Sequence, residues 1–200
     1  MDLKKMCKGV VLAGGESSRF PFHKAFACID GEYFYKRAVS CLKPAVSSVD
    51  LVAHPSIAHK LSDSTAKVIM DLSYIQGQGP LAGILTAMNS SEQAEWYAVI
   101  TCDMPFMKTE IYDMLLTAAA TAKRVQAVVP VVKECRQPLA ALYHISCKPV
   151  ITRVLSEGKR SMYSLLQNVD TKFITEDSGH WNPHDFININ TPEDYSLYIE

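Results

Sequence analysis

Short apolar runs alternate along the chain with longer segments whose apolar positions recur at helical spacing. A run of four to eight apolar residues bounded by turn residues reads as a buried strand, and apolar spacing of three to four reads as a helix packed by one face. The first run, Val10-Val11-Leu12-Ala13, breaks at Gly14-Gly15 into a polar loop that holds Ser17, Ser18, Arg19, His23 and Lys24. Further strands are predicted at 48–53, 66–70, 96–101, 125–132, 138–144 and 172–175, with a late extended segment at 185–190. Helices are predicted at 32–42, 55–61, 81–89, 109–122, 146–157 and 161–167, and Thr191-Pro192-Glu193-Asp194 opens a last one. Pro138 places its strand at a sheet edge or at a strand start. Strands alternating with helices predict a three-layer α/β/α fold with a mostly parallel, twisted sheet.

Length and composition narrow this picture. Two hundred residues without repeat or linker suit a single domain over 1–200. A net charge of −1 provides no global field for nucleic acid or an anionic membrane, so phosphate binding must come from local placement of Arg and Lys. No apolar run approaches membrane-spanning length, and the N-terminal residues MDLKKMCKG lack the apolar core of a signal peptide, so a cytoplasmic protein is expected. Cys7, Cys28, Cys41, Cys102, Cys135 and Cys147 show no C-x-x-C rhythm and read as buried thiols in a reducing compartment.

Candidate chemistry gathers after the strands. In open parallel sheets, ligands bind outside the carboxyl ends of the strands. Four polar clusters stand at such ends: the Gly14 loop, Asp71, the Gln78-Gly79-Pro80 turn and Asp103. Paired glycines after an apolar strand let a ligand approach the backbone amides. Arg19 offers a planar fork for phosphate oxygens, and Lys24 adds a mobile point charge. The loop is neither a Walker A loop nor G-x-G-x-x-G, and on the glycines alone a plain strand-to-helix turn with solvated charges is the better reading. Asp103, between an apolar strand and Met-Pro, reads either as a Mg²⁺ ligand or as a helix-capping acid. Cys102 beside it reads as a buried thiol rather than a nucleophile. In an extended segment Asn188 and Asn190 share one face while Ile187 and Ile189 share the other. Turn-forming asparagines before a helix cap are the alternative. His180 and His184 have a helix-like metal spacing, but Asn182-Pro183 between them speaks against zinc. His54 and His59 read as surface or helix-end residues, and His23 as an aid to phosphate binding when protonated.

Several of these segments together resemble one family. L-A-G-G-x-S-x-R followed by Lys24, the segment G-P-L-A-G-I, C-D-M-P-F, Q-P-L-x-A-L-Y and N-I-N-T-P-E-D occur in the order found in the molybdenum cofactor guanylyltransferase family of nucleotidyltransferases. The resemblance implies a Rossmann-like fold of the nucleotide-diphospho-sugar transferase type. It implies transfer of GMP from GTP to the terminal phosphate of Mo-molybdopterin. By the same resemblance Leu12, Ala13, Gly14 and Gly15 hold the base and phosphates, and Arg19 and Lys24 the triphosphate. Asp71, Gly79, Pro80 and Leu81 also lie by the nucleotide. Asp103 binds Mg²⁺, for which Mn²⁺ is an alternative, and Gln137, Pro138, Asn188 and Asn190 serve the molybdopterin side. The expected ligands are therefore GTP and molybdopterin, with room for transient contact with other proteins of molybdenum cofactor biosynthesis. Pro21 departs from the pattern: it stands where the family has a glycine, fixing φ and removing an amide donor. Two rival readings follow, a cytidylyl- or sugar-phosphate nucleotidyltransferase on the same fold and a relative that binds nucleotides without catalysing.

Overall fold

A computed structural model describes residues 2–14, 22–63, 65–90, 93–179 and 181–199, with backbone alone at 177, 179 and 199. Its elements in chain order are α1 (Leu3–Met6), β1 (Cys7–Ala13), β2 (Cys28–Ile29), β3 (Glu32–Tyr33), α2 (Phe34–Leu42), β4 (Ser48–Ala53), α3 (Pro55–Ala58) and β5 (Ala66–Met70). There follow α4 (Pro80–Ser90), β6 (Trp96–Thr101), α5 (Thr109–Thr121), β7 (Ala127–Val132), β8 (Cys135–Arg136) and β9 (Ala140–His144). The chain closes with α6 (Lys148–Ser156), α7 (Met162–Leu166), β10 (Thr171–Ile174), α8 (Glu176–Gly179) and α9 (Pro192–Ile199).

One sheet runs in the order β10-β7-β9-β6-β1-β4-β5, with β8 paired to β7. The β6-β1-β4-β5 half is parallel, whereas β9 lies antiparallel between β6 and β7. From β1 the chain winds one way through β4 and β5, then returns to the other side of β1 as β6. The winding therefore reverses between β1 and β6, and their carboxyl ends part to leave a crevice.

The apolar runs are continuous because both faces of these strands are covered. In β1, Cys7, Val11 and Ala13 enter one core and Val10 the other. In β6, Trp96, Ala98 and Ile100 oppose Tyr97 and Val99 in the same way. Period-two alternation across a sheet with helices on both faces leaves no polar side. The first core is closed by α2 and α5, and the second by α4, α6 and α7. Gly9 permits close packing here, since a Cβ would stand 3.1 Å from Val49 Cγ2 and 3.2 Å from Leu42 Cδ1. At the opposite end of the sheet from the crevice, Lys8 and Asp50 form a buried ion pair of 2.9 Å, and the Ser90 hydroxyl donates to Asp50.

Several expectations shift. The helix expected from residue 32 starts at Phe34, because Asp30 (φ 50°) and Gly31 (φ 77°) turn the chain so that Glu32–Tyr33 pairs with Cys28–Ile29. The helix expected over 55–61 ends at Ala58. The strand expected over 138–144 begins at Ala140, with Pro138 in the turn before it, and it is not an edge, since β9 is flanked on both sides. The β7–β8 hairpin had no sequence signal: Lys133 (φ 46°) and Glu134 (φ 64°) adopt the left-handed conformation of a two-residue turn without the usual Asn or Gly. The segment expected to be extended over 185–190 begins as a 3₁₀ turn, Pro183–Phe186, and only its second half is extended. All six cysteines are free, but Cys135 is exposed and Cys28 half-buried, which corrects the expectation of uniform burial. Burial pushes the thiols of Cys7, Cys41, Cys102 and Cys147 up to about 12, so they stay protonated at neutral pH. Among the described residues no helix is long and apolar enough to cross a membrane.

Candidate active site

A cleft of about 440 Å³ opens at the carboxyl ends of β1, β4, β5 and β6, over the point where the winding reverses. Its floor is built from both sides of that point. The N–H of Cys102 donates to the Leu12 carbonyl at 3.1 Å, extending the β1–β6 ladder by one residue and delivering Asp103 to the floor. From the other side comes Lys24, opening the 3₁₀ turn Lys24–Phe26, whose start is fixed by His23 Nδ1 accepting the Ala25 N–H at 3.3 Å. The Lys24 ammonium donates to Asp103 Oδ2 and to Asn190 Oδ1, each at 2.9 Å.

Asp103 Oδ1 is buried and has no hydrogen-bond partner among the described residues, and nor has Thr101 Oγ1. A buried acceptor without a donor is costly, and in a residue that lines a cleft it suits a ligand. That oxygen fits a hard cation. Among the described residues no group of three or more His, Cys, Asp or Glu is placed to form an all-protein metal cage. Mg²⁺ requires none, since it takes one or two carboxylates and fills its octahedron with water and substrate phosphates.

Asp71 forms the opposite wall. Burial raises its carboxyl above the usual range, while the Gly77 N–H, the Thr86 hydroxyl and the His54 ring oppose the shift. A carboxyl raised in the folded state binds more protons there than in the unfolded chain. Stability therefore falls as pH rises from the unfolded value of 3.8 through the folded one. Asp71→Asn is accordingly expected to raise the melting temperature at pH 7, with the gain vanishing below pH 3.8. Thermal melts of both proteins across this window check it. A wild type more stable than the variant at pH 7 would contradict the strain. A carboxylate kept at such a disadvantage beside a cleft is a candidate for ligand binding.

The turn before α4 supplies the third wall. Gly77 (φ 72°) and Gly79 (φ 78°) hold left-handed conformations, and Pro80 starts the helix without needing an amide partner. A Cβ on Gly83 would lie 2.7 Å from Leu12 Cδ2, so this glycine lets α4 close on β1 beneath the ligand space.

The cleft gathers Leu12, Gly14, Lys24, Asp71, Gly79, Pro80 and Asp103 as expected, together with His23. The side chains of Ala13 and Leu81 are buried in the cores, so only their backbone can serve a ligand. Gln137 and Pro138 lead into β9 and are tied there through their backbone. The Gln137 N–H donates to the Pro130 carbonyl at 2.8 Å, and the Pro138 carbonyl accepts from the Tyr143 hydroxyl. Leu139 lines the cleft. Asn188 is exposed, whereas Asn190 joins Lys24. Gly15, Arg19 and Pro21 lie outside the described residues. His54 and Thr101 also line the cleft and were not singled out for it. Both stand at strand carboxyl ends, the same signal that marked Asp71 and Asp103. His184 packs its ring on Phe106 with centroids 4.6 Å apart, and His180 lies outside the described residues.

A family model described as a MobA-like NTP transferase domain matches residues 9–172, which contain every residue named above as lining the cleft. The chain belongs to this family. A probable molybdenum cofactor guanylyltransferase of Halalkalibacterium halodurans is 39% identical over 94% of this chain and 95% of its own. A second, from Bacillus cereus, is 39% identical over 94% and 92%. The crystal structure of molybdopterin-guanine dinucleotide biosynthesis protein A from Archaeoglobus fulgidus superposes with a TM-score of 0.80 at 26% identity, covering 96% of both chains. A 4-diphosphocytidyl-2C-methyl-D-erythritol synthase from Anaerococcus prevotii shares the fold at a TM-score of 0.72, but only 11% identity. As a MobA-like NTP transferase domain, the chain has the mostly parallel sheet with helices on both faces that its sequence predicts, and the cleft lies where that fold class binds ligands.

Proposed function

We propose that this protein transfers GMP from GTP to the terminal phosphate of Mo-molybdopterin, releasing pyrophosphate and forming the guanine dinucleotide cofactor. The observation that carries this reading is the floor of the cleft. There an ammonium and a carboxylate meet at 2.9 Å at the reversal point of the sheet, in a chain whose relatives are named for guanylyl transfer.

The chemistry is an in-line exchange at phosphorus. An oxygen of the acceptor phosphate attacks the α-phosphorus of GTP, the bond to the α–β bridging oxygen breaks, and pyrophosphate leaves with the electron pair. Such a step asks the protein for positioning and for countercharge. Lys24 brings a positive charge to the triphosphate from one side of the crevice, and Arg19 is proposed to add a second. Asp103 would hold Mg²⁺ through its unpartnered Oδ1, and the bound ion supplies charge neutralisation at the α-phosphate and the leaving pyrophosphate. Gly77, Gly79 and Pro80 bring backbone close to the base, and Asp71 accepts hydrogen bonds from the nucleotide. Asn188 and Asn190 border the molybdopterin half. The reading places the reaction in the cytoplasm, with transient contact to the proteins that supply molybdopterin and receive the dinucleotide.

Calorimetric titration with GTP and with CTP, each with and without Mg²⁺, tests the assignment. GTP is expected to bind at least about tenfold more tightly than CTP, a difference of about 1.4 kcal/mol, and more tightly with Mg²⁺ present. A preference for CTP would move the protein to cytidylyl chemistry. Binding of neither would favour a relative that has lost catalysis, with Pro21 as the first suspect.

A further inference from the structure

The C-terminal segment is bonded to the cleft floor twice. The Ile189 N–H donates to the Asp103 carbonyl at 2.8 Å, and Asn190 Oδ1 accepts from the Lys24 ammonium at 2.9 Å. Ile189 is fully buried with Ala27, Ile29 and Phe34, which anchors the backbone beside the floor. Asn190 itself is exposed, so burial does not hold it in place. The backbone that carries its side chain is fixed by Asp194. Its Oδ2 accepts the N–H groups of Asn190 and Thr191, each at 2.9 Å, and the Asp194 N–H returns a bond to Thr191 Oγ1 at 3.1 Å. The Asn190 N–H holds the Asp194 carboxyl below the usual carboxylate range, helped by Thr191 and by the charge of Lys24, so it is ionised at neutral pH. A reciprocal cap of this kind is ordinary at a helix start. Here, however, the capped N–H belongs to the residue whose side chain carries the catalytic lysine.

We propose that Asp194 is a positioning residue for nucleotidyl transfer: acting through Asn190, it holds the Lys24 ammonium over the cleft floor. The inference rests on the reading of Lys24 as the triphosphate ligand. It gives the segment after Ile187 a role in the nucleotide half as well as at the acceptor side. Asn190 becomes the residue shared by the two halves.

A double-mutant cycle with Asn190→Ala and Asp194→Ala tests it. Three quantities are read for each protein: kcat and KM for GTP, the melting temperature, and the acetylation rate of Lys24 in ligand-free protein, followed by mass spectrometry with N-hydroxysuccinimidyl acetate. Each single variant is expected to lower kcat/KM about tenfold and to change Lys24 labelling about threefold. The double variant is expected to go no further than about twofold beyond either, because both act through one contact. The melting temperature should fall with Asp194→Ala and little with Asn190→Ala, which separates the cap from the positioning. An Asp194→Ala protein that melts earlier yet keeps labelling and kcat/KM within about twofold of wild type would overturn the proposal, as would effects that multiply in the double variant. Should Asp194→Ala fail to fold, Asp194→Ser, too short to reach both N–H groups, enters the same cycle under the same criteria. The labelling needs no substrate, so it decides the positioning even if the wild type proves not to use GTP.

Discussion

Asp103→Ala is expected to lower kcat for GMP transfer by about a thousandfold or more, in the range seen when an electrostatic stabiliser of a transition state is removed. The effect should be large because the residue does two things. Its Oδ1 is the unpartnered acceptor proposed to hold Mg²⁺, and its Oδ2 fixes the Lys24 ammonium at 2.9 Å. The fold should survive, since the backbone bonds that seat the residue, Cys102 N–H to Leu12 and Ile189 N–H to the Asp103 carbonyl, do not use the side chain. Steady-state turnover at saturating Mg²⁺ and a far-ultraviolet circular dichroism spectrum are the measurements. Loss of the Mg²⁺ dependence of GTP binding should accompany the loss of turnover. A variant that folds and still turns over with a Mg²⁺ requirement would place the metal elsewhere.

Asp50→Ala is expected to produce the largest loss of stability, about 3–5 kcal/mol, the range for removing one partner of a buried ion pair. Lys8 and Asp50 are both buried and meet at 2.9 Å, and Ser90 completes the arrangement. Removing the carboxylate leaves the Lys8 ammonium without its counter-ion between β1 and α4. For a protein of this length the loss corresponds to a fall in melting temperature of roughly 6–20 °C. Replacing both members, as in Lys8→Met with Asp50→Leu, is expected to recover most of that fall, because well-packed apolar groups substitute for a buried pair at little net loss. Kinetic parameters measured well below the transition should remain near wild type, since the pair lies at the opposite end of the sheet from the cleft. A single variant melting within 2 °C or so of wild type would mean that water reaches Lys8 and that the pair contributes as a surface pair does.

The sequence alone gave access to the parallel half of the sheet for a simple reason. Short, largely apolar runs announce 48–53, 66–70 and 96–101, and they match β4, β5 and β6 residue for residue, although only the central strands are covered on both faces and β5 is a half-exposed edge. The polar residues that follow such strands stand out against that background, which is how Gly14, Asp71, Gly79 and Asp103 could be picked before any coordinates. Residues that serve through tertiary contact had no such mark. His54 and Thr101 follow or end equally apolar strands, but neither is a carboxylate or a glycine to draw notice, and Leu139 is one apolar residue among many. The β7–β8 hairpin was invisible because Lys133 and Glu134 take a left-handed turn that sequence rules reserve for Asn and Gly. The backbone bonds that tie Gln137 and Pro138 into the approach to β9 likewise had no sequence signal.

What the sequence determined by itself is the periodicity of burial: which segments are strands, which are helices, and which polar residues stand at strand ends. Those follow from local patterning, because each strand or helix must bury an apolar face whatever its neighbours. What only the tertiary structure decided is how the ends converge. The reversal of winding between β1 and β6 brings Lys24 to Asp103 across 79 positions of sequence, and the burial of Ile189 carries Asn190 to Lys24 across 166. Neither distance leaves a trace in local pattern, since it is set by the order in which strands pair and by the cores that hold them together.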